Sequence, residues 1–295
     1  NIVEALKIRK KFKSITIFVL NGLNKNEEKV FFENNITPVL NNYNQFQKWT
    51  YYLKKNYNIP LMLHVDTGMN RLGFQKSDIE KLKKNKKKLQ LFKDITIMSH
   101  LACADDKNNE FNLEQKKYFD QIKKEFPECK YSLAASGGIF LGKQYHYDMV
   151  RPGISLYGGK RTFHKRIKHA VALKAPIIQI NEVKRGESIG YSRTYYAKEN
   201  IRTATISIGY ADGMNIRLTN KGYFHFQKKK IPIVGRVSMD LIILNITKFK
   251  NKLKVGDYID IYNRDYTIDD FAKQSGTIPY RIITCMSSRY DKKYI

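Results

Sequence analysis

The sequence is poor in cysteine, short of acidic residues relative to basic ones, and free of long apolar runs. Three cysteines occur in 295 residues, at Cys103, Cys129 and Cys285. They form no even set and show no metal-ligand spacing, so neither a disulfide framework nor a zinc module is predicted, and no metal is expected. The same usage points to a reducing, cytoplasmic setting. No stretch approaches the roughly 20 apolar residues of a membrane helix. The first residues, Asn1-Ile-Val-Glu-Ala-Leu-Lys-Ile-Arg-Lys10, are charged and helix-like, unlike a secretory leader.

Against 27 acidic side chains stand 54 basic ones, a net charge of +27. Such a balance attracts nucleic acid and anionic surfaces without sequence specificity. The lysines, however, gather in helix-like segments such as Lys81-Leu-Lys-Lys-Asn-Lys-Lys-Lys88, where one face meets solvent. Asn, Ile, Tyr and Lys are abundant throughout, and no RNP, helix-turn-helix or zinc-finger pattern accompanies the charge. A solvated basic surface is expected, not a nucleic-acid interface. With 42% hydrophobic residues, the chain can build two domains with sizeable cores.

Up to about residue 165 the pattern alternates strand and helix. Strands are predicted at 15–20, 36–40, 60–66, 95–100, 130–135 and 147–151. Helical windows lie at 27–34, 43–56, 77–88 and 112–126, the last with Leu113, Phe119, Ile122 and Phe126 on one stripe. From about residue 169 strands dominate, with alternation at 203–209 and 231–247, many glycine turns, and one short helix near 268–274. Two domains follow, 1–168 and 169–295. Six strand–helix units make an unfinished barrel, since a full eight-fold barrel takes roughly 250 residues. The expected fold is therefore α/β plus β: an incomplete (β/α)8 TIM-type barrel, its first two units missing ahead of Asn1, then a mostly-β domain.

Several strands run into polar residues too specific for ordinary loops: His64-Val-Asp-Thr-Gly-Met-Asn-Arg71, Ser99-His100, Ala135-Ser-Gly137 and Asp148-Met-Val-Arg-Pro-Gly153. Reactive and anion-binding groups at successive parallel strand ends predict a barrel enzyme with its site at that rim. Each feature has a plainer reading. A lone histidine in an apolar strand is commonly a satisfied core residue, Ser136-Gly-Gly a tight turn, Arg151 half of a structural salt bridge, and Met239 a buried hydrophobe.

Six motifs in order change that balance: His64-Val-Asp-Thr-Gly-Met-Asn-Arg-Leu-Gly73, Ser99-His-Leu-Ala-Cys-Ala-Asp105, Ala135-Ser-Gly137, Met149-Val-Arg-Pro-Gly-Ile-Ser-Leu-Tyr-Gly158, Ile208-Gly-Tyr-Ala-Asp-Gly213 and Val234-Gly-Arg-Val-Ser-Met-Asp240. Together they resemble the alanine racemase family over essentially the whole chain. The resemblance implies pyridoxal 5'-phosphate as cofactor and a two-base interconversion of L- and D-alanine. It implies that Arg151 donates to the cofactor ring nitrogen, that His100 lies beside the ring, and that Ser136 with the Gly153 and Ile154 amides cups the phosphate. Arg71 would bind the cofactor's phenolic oxygen and the substrate carboxylate. Family members often carry a carbamylated lysine where this chain has His64, so the support of Arg71 departs from the pattern.

Tyr210 would be the base for L-alanine, and Met239 would offer its N–H to the substrate carboxylate, with Asp240 anchoring the turn. The second base, the cofactor-linked lysine, matches no lysine here and is expected in the missing N-terminal part, which would leave this chain inactive alone. A homodimer with shared active sites is implied. Gly276-Thr-Ile-Pro-Tyr-Arg281 and Ser288-Arg-Tyr-Asp-Lys-Lys-Tyr294 resemble the family's closing segment, though Ser288 stands where some members have a phosphate-binding tyrosine. Other readings are a broad-specificity or serine racemase on the same scaffold, or an inactive fragment or basic binding protein.

Overall fold

A computed structural model describes residues 1–54, 59–92, 94–159 and 167–294, without the side chains of 250 and 251. The chain divides into two compact units, Asn1–Gly153 and Ile154–Ile295.

The first unit is built around five parallel strands in sequential order: β1 (Phe18–Val19), β2 (Thr37–Leu40), β3 (Leu61–His64), β4 (Ile95–Met98) and β5 (Lys130–Ser132). Strands β2 and β3 are buried at every position, as strands covered on both faces must be. Between them run α1 (Ile2–Lys11), α2 (Glu28–Glu33), α3 (Tyr43–Leu53), α4 (Lys76–Lys84), α5 (Lys86–Leu89) and α6 (Phe111–Glu125). The main core packs one face of the sheet, through Leu61, Leu63 and Ile97, against helix residues Phe46, Trp49 and Phe119. Val39, Met62 and Met98 form a small apolar cluster of their own on the other face. Register pairs Val39 with Met62, His64 with Met98 and Met98 with Ser132, so strand alternation puts His64 and Ser132 on the face of that small cluster, toward the strand C-termini.

The helix expected over 77–88 is interrupted at Asn85, which caps α4 by donating from its backbone to Leu82 and separates it from α5. Lys84, Lys86, Lys87 and Lys88 are exposed there, as a solvated face requires. The helix-like first residues form α1, in which the Asn1 side chain accepts from the Glu4 N–H. Residues 55 and 56 of the helical window 43–56 lie outside the described residues.

The sixth predicted strand, 147–151, does not form. Tyr147 has φ 52°, which no strand tolerates, and Pro152 follows Arg151. The Asp148 and Met149 amides both donate to the Tyr131 carbonyl, and the Asp148 carboxylate returns to accept from the Tyr131 N–H. Only an isolated parallel bridge between Ala135 and Arg151 remains of the expected pairing.

The second unit holds a six-stranded antiparallel sheet in the order β11-β10-β13-β6-β9-β12, with β6 (Leu173–Val183), β9 (Ile201–Ile206), β10 (Tyr223–Phe226), β11 (Lys229–Pro232), β12 (Ile242–Asn245) and β13 (Tyr258–Tyr262). The Ile233–Leu244 bridge brings the end of β11 onto β12, so the sheet curls until its edges meet. A hairpin of β7 (Ser188–Ile189) and β8 (Tyr195–Tyr196) stands apart. Helix α8 (Ile268–Gln274) lies where the sequence put it, and α9 (Pro279–Thr284) adds a second. The sequence placed the change of architecture at 168/169; by compactness the division falls between Gly153 and Ile154.

Candidate active site

Arg151 is the centre of the first unit's strand-end cluster. Its Nη1 donates to the Ser132 carbonyl at 2.9 Å and the Ser132 Oγ at 2.6 Å, and its Nη2 to the Ser99 carbonyl at 2.6 Å. Longer contacts reach the Leu133 carbonyl at 3.3 Å and His100 Nδ1 at 3.4 Å. Every one of these acceptors is neutral, and no carboxylate pairs with the guanidinium among the described residues. Burial without a counter-ion lowers its pKa to about 10, so it keeps its charge near neutrality. The salt-bridge reading of Arg151 does not hold in this structure.

His100 is lowered to about 4, by burial first and then by the charges of Arg151 and Arg71, so its ring is neutral. His64 is lowered to about 4 by burial and by Arg151. Its Nδ1 lies 2.9 Å from Asn41 Oδ1, while Asn41 Nδ2 donates to the Val39 carbonyl. Nδ1 is therefore the protonated nitrogen of His64, and Nε2 keeps its lone pair. Arg71 is exposed, acts electrostatically on both histidines, and its guanidinium has no partner among the described residues.

Arg71 sits on a loop that folds back onto β3. Phe74 N–H donates to the His64 carbonyl at 2.7 Å and Asp66 N–H to the Phe74 carbonyl at 3.1 Å. Gly73 makes the return possible: φ is +123°, and a Cβ there would lie 2.5 Å from the Asp66 nitrogen. Burial raises the Asp66 carboxyl, but hydrogen bonds from the Gly68 N–H, the Gln75 amide and the Asn70 N–H outweigh that and leave it below its usual range.

Ser136 opens α7 (Ser136–Leu141), is buried, and accepts from the Gly153 N–H at 2.8 Å. That amide therefore orients Ser136 here. Ile154 begins the second unit, at the head of a 3-10 turn, Ile154–Tyr157.

Sequence reasoning missed the residues that tie this cluster together. Gln115 of α6 is fully buried; its Nε2 donates to Thr67 Oγ1 at 3.1 Å and to the His100 carbonyl at 3.0 Å, and its Oε1 accepts from the Ala102 N–H. Thr67 Oγ1 pairs with Ser99 Oγ at 2.7 Å. One satisfied polar chain thus runs from helix α6 through Thr67 and Ser99 to Arg151.

In the second unit Tyr210 and Met239 lie on two loops bonded to each other. Tyr210 N–H donates to the Ser238 carbonyl at 3.0 Å and Ala211 N–H to the Met239 carbonyl at 2.9 Å. Gly209 permits this approach, since a Cβ there would fall 2.2 Å from the Met239 oxygen. Tyr210 and Met239 are 46% and 53% exposed, so Met239 is no core hydrophobe. The Met239 N–H finds no acceptor among the described residues. Tyr210 also lines a cavity of about 440 Å³ with Asn215, Thr277, Arg281 and Cys285.

The family model "Alanine racemase, N-terminal domain" matches residues 1–161, and "Alanine racemase, C-terminal domain" matches residues 170–294. The chain belongs to the alanine racemase family. It is 38% identical to the alanine racemase of Rickettsia bellii (strain RML369-C) over 297 residues, covering 99% of this chain and 72% of that protein. The alanine racemase of Rhizobium meliloti (strain 1021) is 36% identical, over 95% of this chain and 77% of its own. The crystal structure of alanine racemase from Bartonella henselae with covalently bound pyridoxal phosphate superposes with a TM-score of 0.95 at 35% identity, covering 100% of this chain and 83% of that one. The solved relatives share a TIM-type barrel followed by a β domain. The expectation of absent strand–helix units gains no support from the N-terminal match.

The alanine racemase family depends on pyridoxal phosphate, and the first unit suits that group. A buried guanidinium without a counter-ion favours an electron-rich ring nitrogen, and a neutral imidazole beside it adds no competing charge. At Gly153 a Cβ would meet only Ser136 Oγ, at 3.8 Å, so there is room beside that backbone for a phosphate, although its N–H is bonded to Ser136 here. The described residues hold no His, Cys, Asp and Glu cluster fit for a metal, and no described helix is long and apolar enough to cross a membrane.

Proposed function

We propose that this chain interconverts L- and D-alanine using pyridoxal phosphate bound at the strand ends of its first domain, residues 1–168 on the sequence division. The observation that carries the reading is the partly buried Arg151 guanidinium, which donates only to neutral groups. When bound, pyridoxal phosphate withdraws electrons from the amino acid joined to it and makes the Cα hydrogen acidic. Arg151, unable to give up a proton near pH 7, keeps the ring nitrogen unprotonated and so limits that withdrawal. A modest withdrawal would suit racemisation, in which only the Cα–H bond needs to be weakened. His100 would lie beside the ring, and Ser136 with the Gly153 and Ile154 amides would hold the phosphate, the Gly153 N–H exchanging its Ser136 acceptor for a phosphate oxygen.

Arg71 and the Met239 N–H, both without partners among the described residues, are suited to the substrate carboxylate. Tyr210 takes the Cα proton on the L-alanine face. A second base must return a proton on the opposite face; that role falls to the cofactor-linked lysine, whose place in the sequence is left open. The β domain, 169–295, contributes Tyr210 and Met239 to a site shared within a homodimer. The exposure of Tyr210, Ile216, Met239 and Leu241 supports a partner surface there.

D-alanine production from L-alanine by the cofactor-supplied protein, read by a chiral assay, tests the proposal. Loss of that production in Tyr210→Phe, with the cofactor's absorbance retained, is the expected result. Unchanged kinetics in the variant would refute the role of Tyr210, and no D-alanine from the wild type would refute the reaction.

A further inference from the structure

The loops that carry Tyr210 and Met239 are fastened from behind by the C-terminal segment. Arg289 Nη1 lies 2.7 Å from Asp240 Oδ1, and its Nε lies 3.5 Å from Asp212 Oδ1. Asp240 directly follows Met239, and Asp212 closes the 3-10 turn Tyr210–Asp212. The second Asp212 oxygen, Oδ2, accepts from the Gly209 N–H at 3.0 Å, so this one buried carboxylate caps the base-bearing turn and holds the arginine together. Tyr290, next to Arg289, donates its hydroxyl to the Asp212 carbonyl. Burial raises the Tyr290 phenol, which keeps it a donor.

Neither Tyr210 nor Met239 is fixed by burial of its side chain. Their relative placement rests on two backbone hydrogen bonds and on the bridge that joins the residues behind them. An isolated surface ion pair does little for stability. A fork held between two carboxylates does something different: it resists sliding of one loop past the other.

We propose that Arg289 is a positioning residue for racemisation, fixing the Tyr210 hydroxyl relative to the Met239 N–H by clamping Asp212 to Asp240. The inference rests on the reading of Tyr210 as a base. If it holds, Arg289→Ala loosens the two loops without unfolding the sheet, and Arg289→Lys, which keeps the charge but loses the fork, falls between the two. Misplacement of a reacting group by a fraction of an ångström to 1 Å predicts a loss in kcat between about tenfold and a hundredfold.

Hydrogen exchange on the full 295-residue chain reads the clamp without cofactor. Faster exchange of the Tyr210 and Ala211 amides in Arg289→Ala, with the β6 and β9 amides unchanged, and a fall in kcat partly restored by Arg289→Lys, is the supporting result. Unchanged Tyr210 and Ala211 exchange overturns the proposal. So does faster exchange spread through β6 and β9, which marks a general structural role, and so does local loosening with kcat intact. Failure of the base reading shows separately, as unchanged turnover in Tyr210→Phe.

Discussion

In the first unit Arg151, Ser136 and His64 lie behind strand ends and are fixed by neutral hydrogen bonds running back into the sheet and helix α6. In the second, Tyr210 and Met239 lie in the open on loops tied by backbone bonds and by an arginine between two carboxylates. The contrast fits the two tasks proposed for them. A group that must hold a charged cofactor gains from a desolvated, preorganised setting, where each dipole acts strongly. A base that must reach a substrate delivered from solvent needs exposure, and its placement has to come from the backbone around it.

The largest effect expected from breaking this division of labour is on rate alone. Tyr210→Phe should lower turnover of L-alanine by about 10²- to 10⁴-fold, the usual worth of a general base, with cofactor affinity unchanged. Steady-state kinetics beside a cofactor titration checks it. Arg151→Met should instead strike stability and cofactor binding together. It strips donors from the Ser99, Ser132 and Leu133 carbonyls, at about 3 kcal/mol by urea denaturation.

Acid separates the two regions more gently. His64 and His100 have folded pKa values of about 4, below the 6.5 of the unfolded chain, so the unfolded state binds protons first as pH falls. Their contribution to stability is present above pH 6.5 and is lost toward pH 4. Between pH 7 and 4.5 the first unit should lose about 2 kcal/mol per histidine, and His64→Asn should flatten that dependence in urea melts at the two pH values. The smallest stability effect belongs to Arg289→Ala: its shorter ion pair, with Asp240, is open to solvent and the Asp212 carboxylate keeps the Gly209 N–H, so the urea midpoint should move little while kcat falls.

Much of the first unit was readable because parallel strands buried on both faces carry continuous apolar runs, and β2 and β3 are of that kind. The segment 147–151 misled for the same reason: Met149 and Val150 look like strand interior, while the decisive feature, a left-handed Tyr147, leaves no mark on hydrophobicity. Helix α9 was missed although Pro279 stands in its first turn, a start signal the strand-rich surroundings obscured.

At the candidate site, the motifs singled out Arg151, His100 and Ser136, and the structure brings Arg151 to His100 and Gly153 to Ser136. Asn41 and Gln115 were invisible as site residues, because polar side chains beside an apolar pattern read as surface. Gln115 did carry a signal: it lies four residues before Phe119 and seven before Ile122, on the buried stripe of α6, where an amide needs internal partners. Arg289 carried none, since its meaning lies in two aspartates far away in sequence.

The claim that Arg151 holds the cofactor ring by donation is tested most directly by the ¹⁵N chemical shift of ring-labelled pyridoxal phosphate bound to this protein. An unprotonated ring nitrogen at neutral pH in the wild type, becoming protonated in Arg151→Glu, is the predicted result. A protonated ring nitrogen in the wild type, or one indifferent to the substitution, would contradict the account.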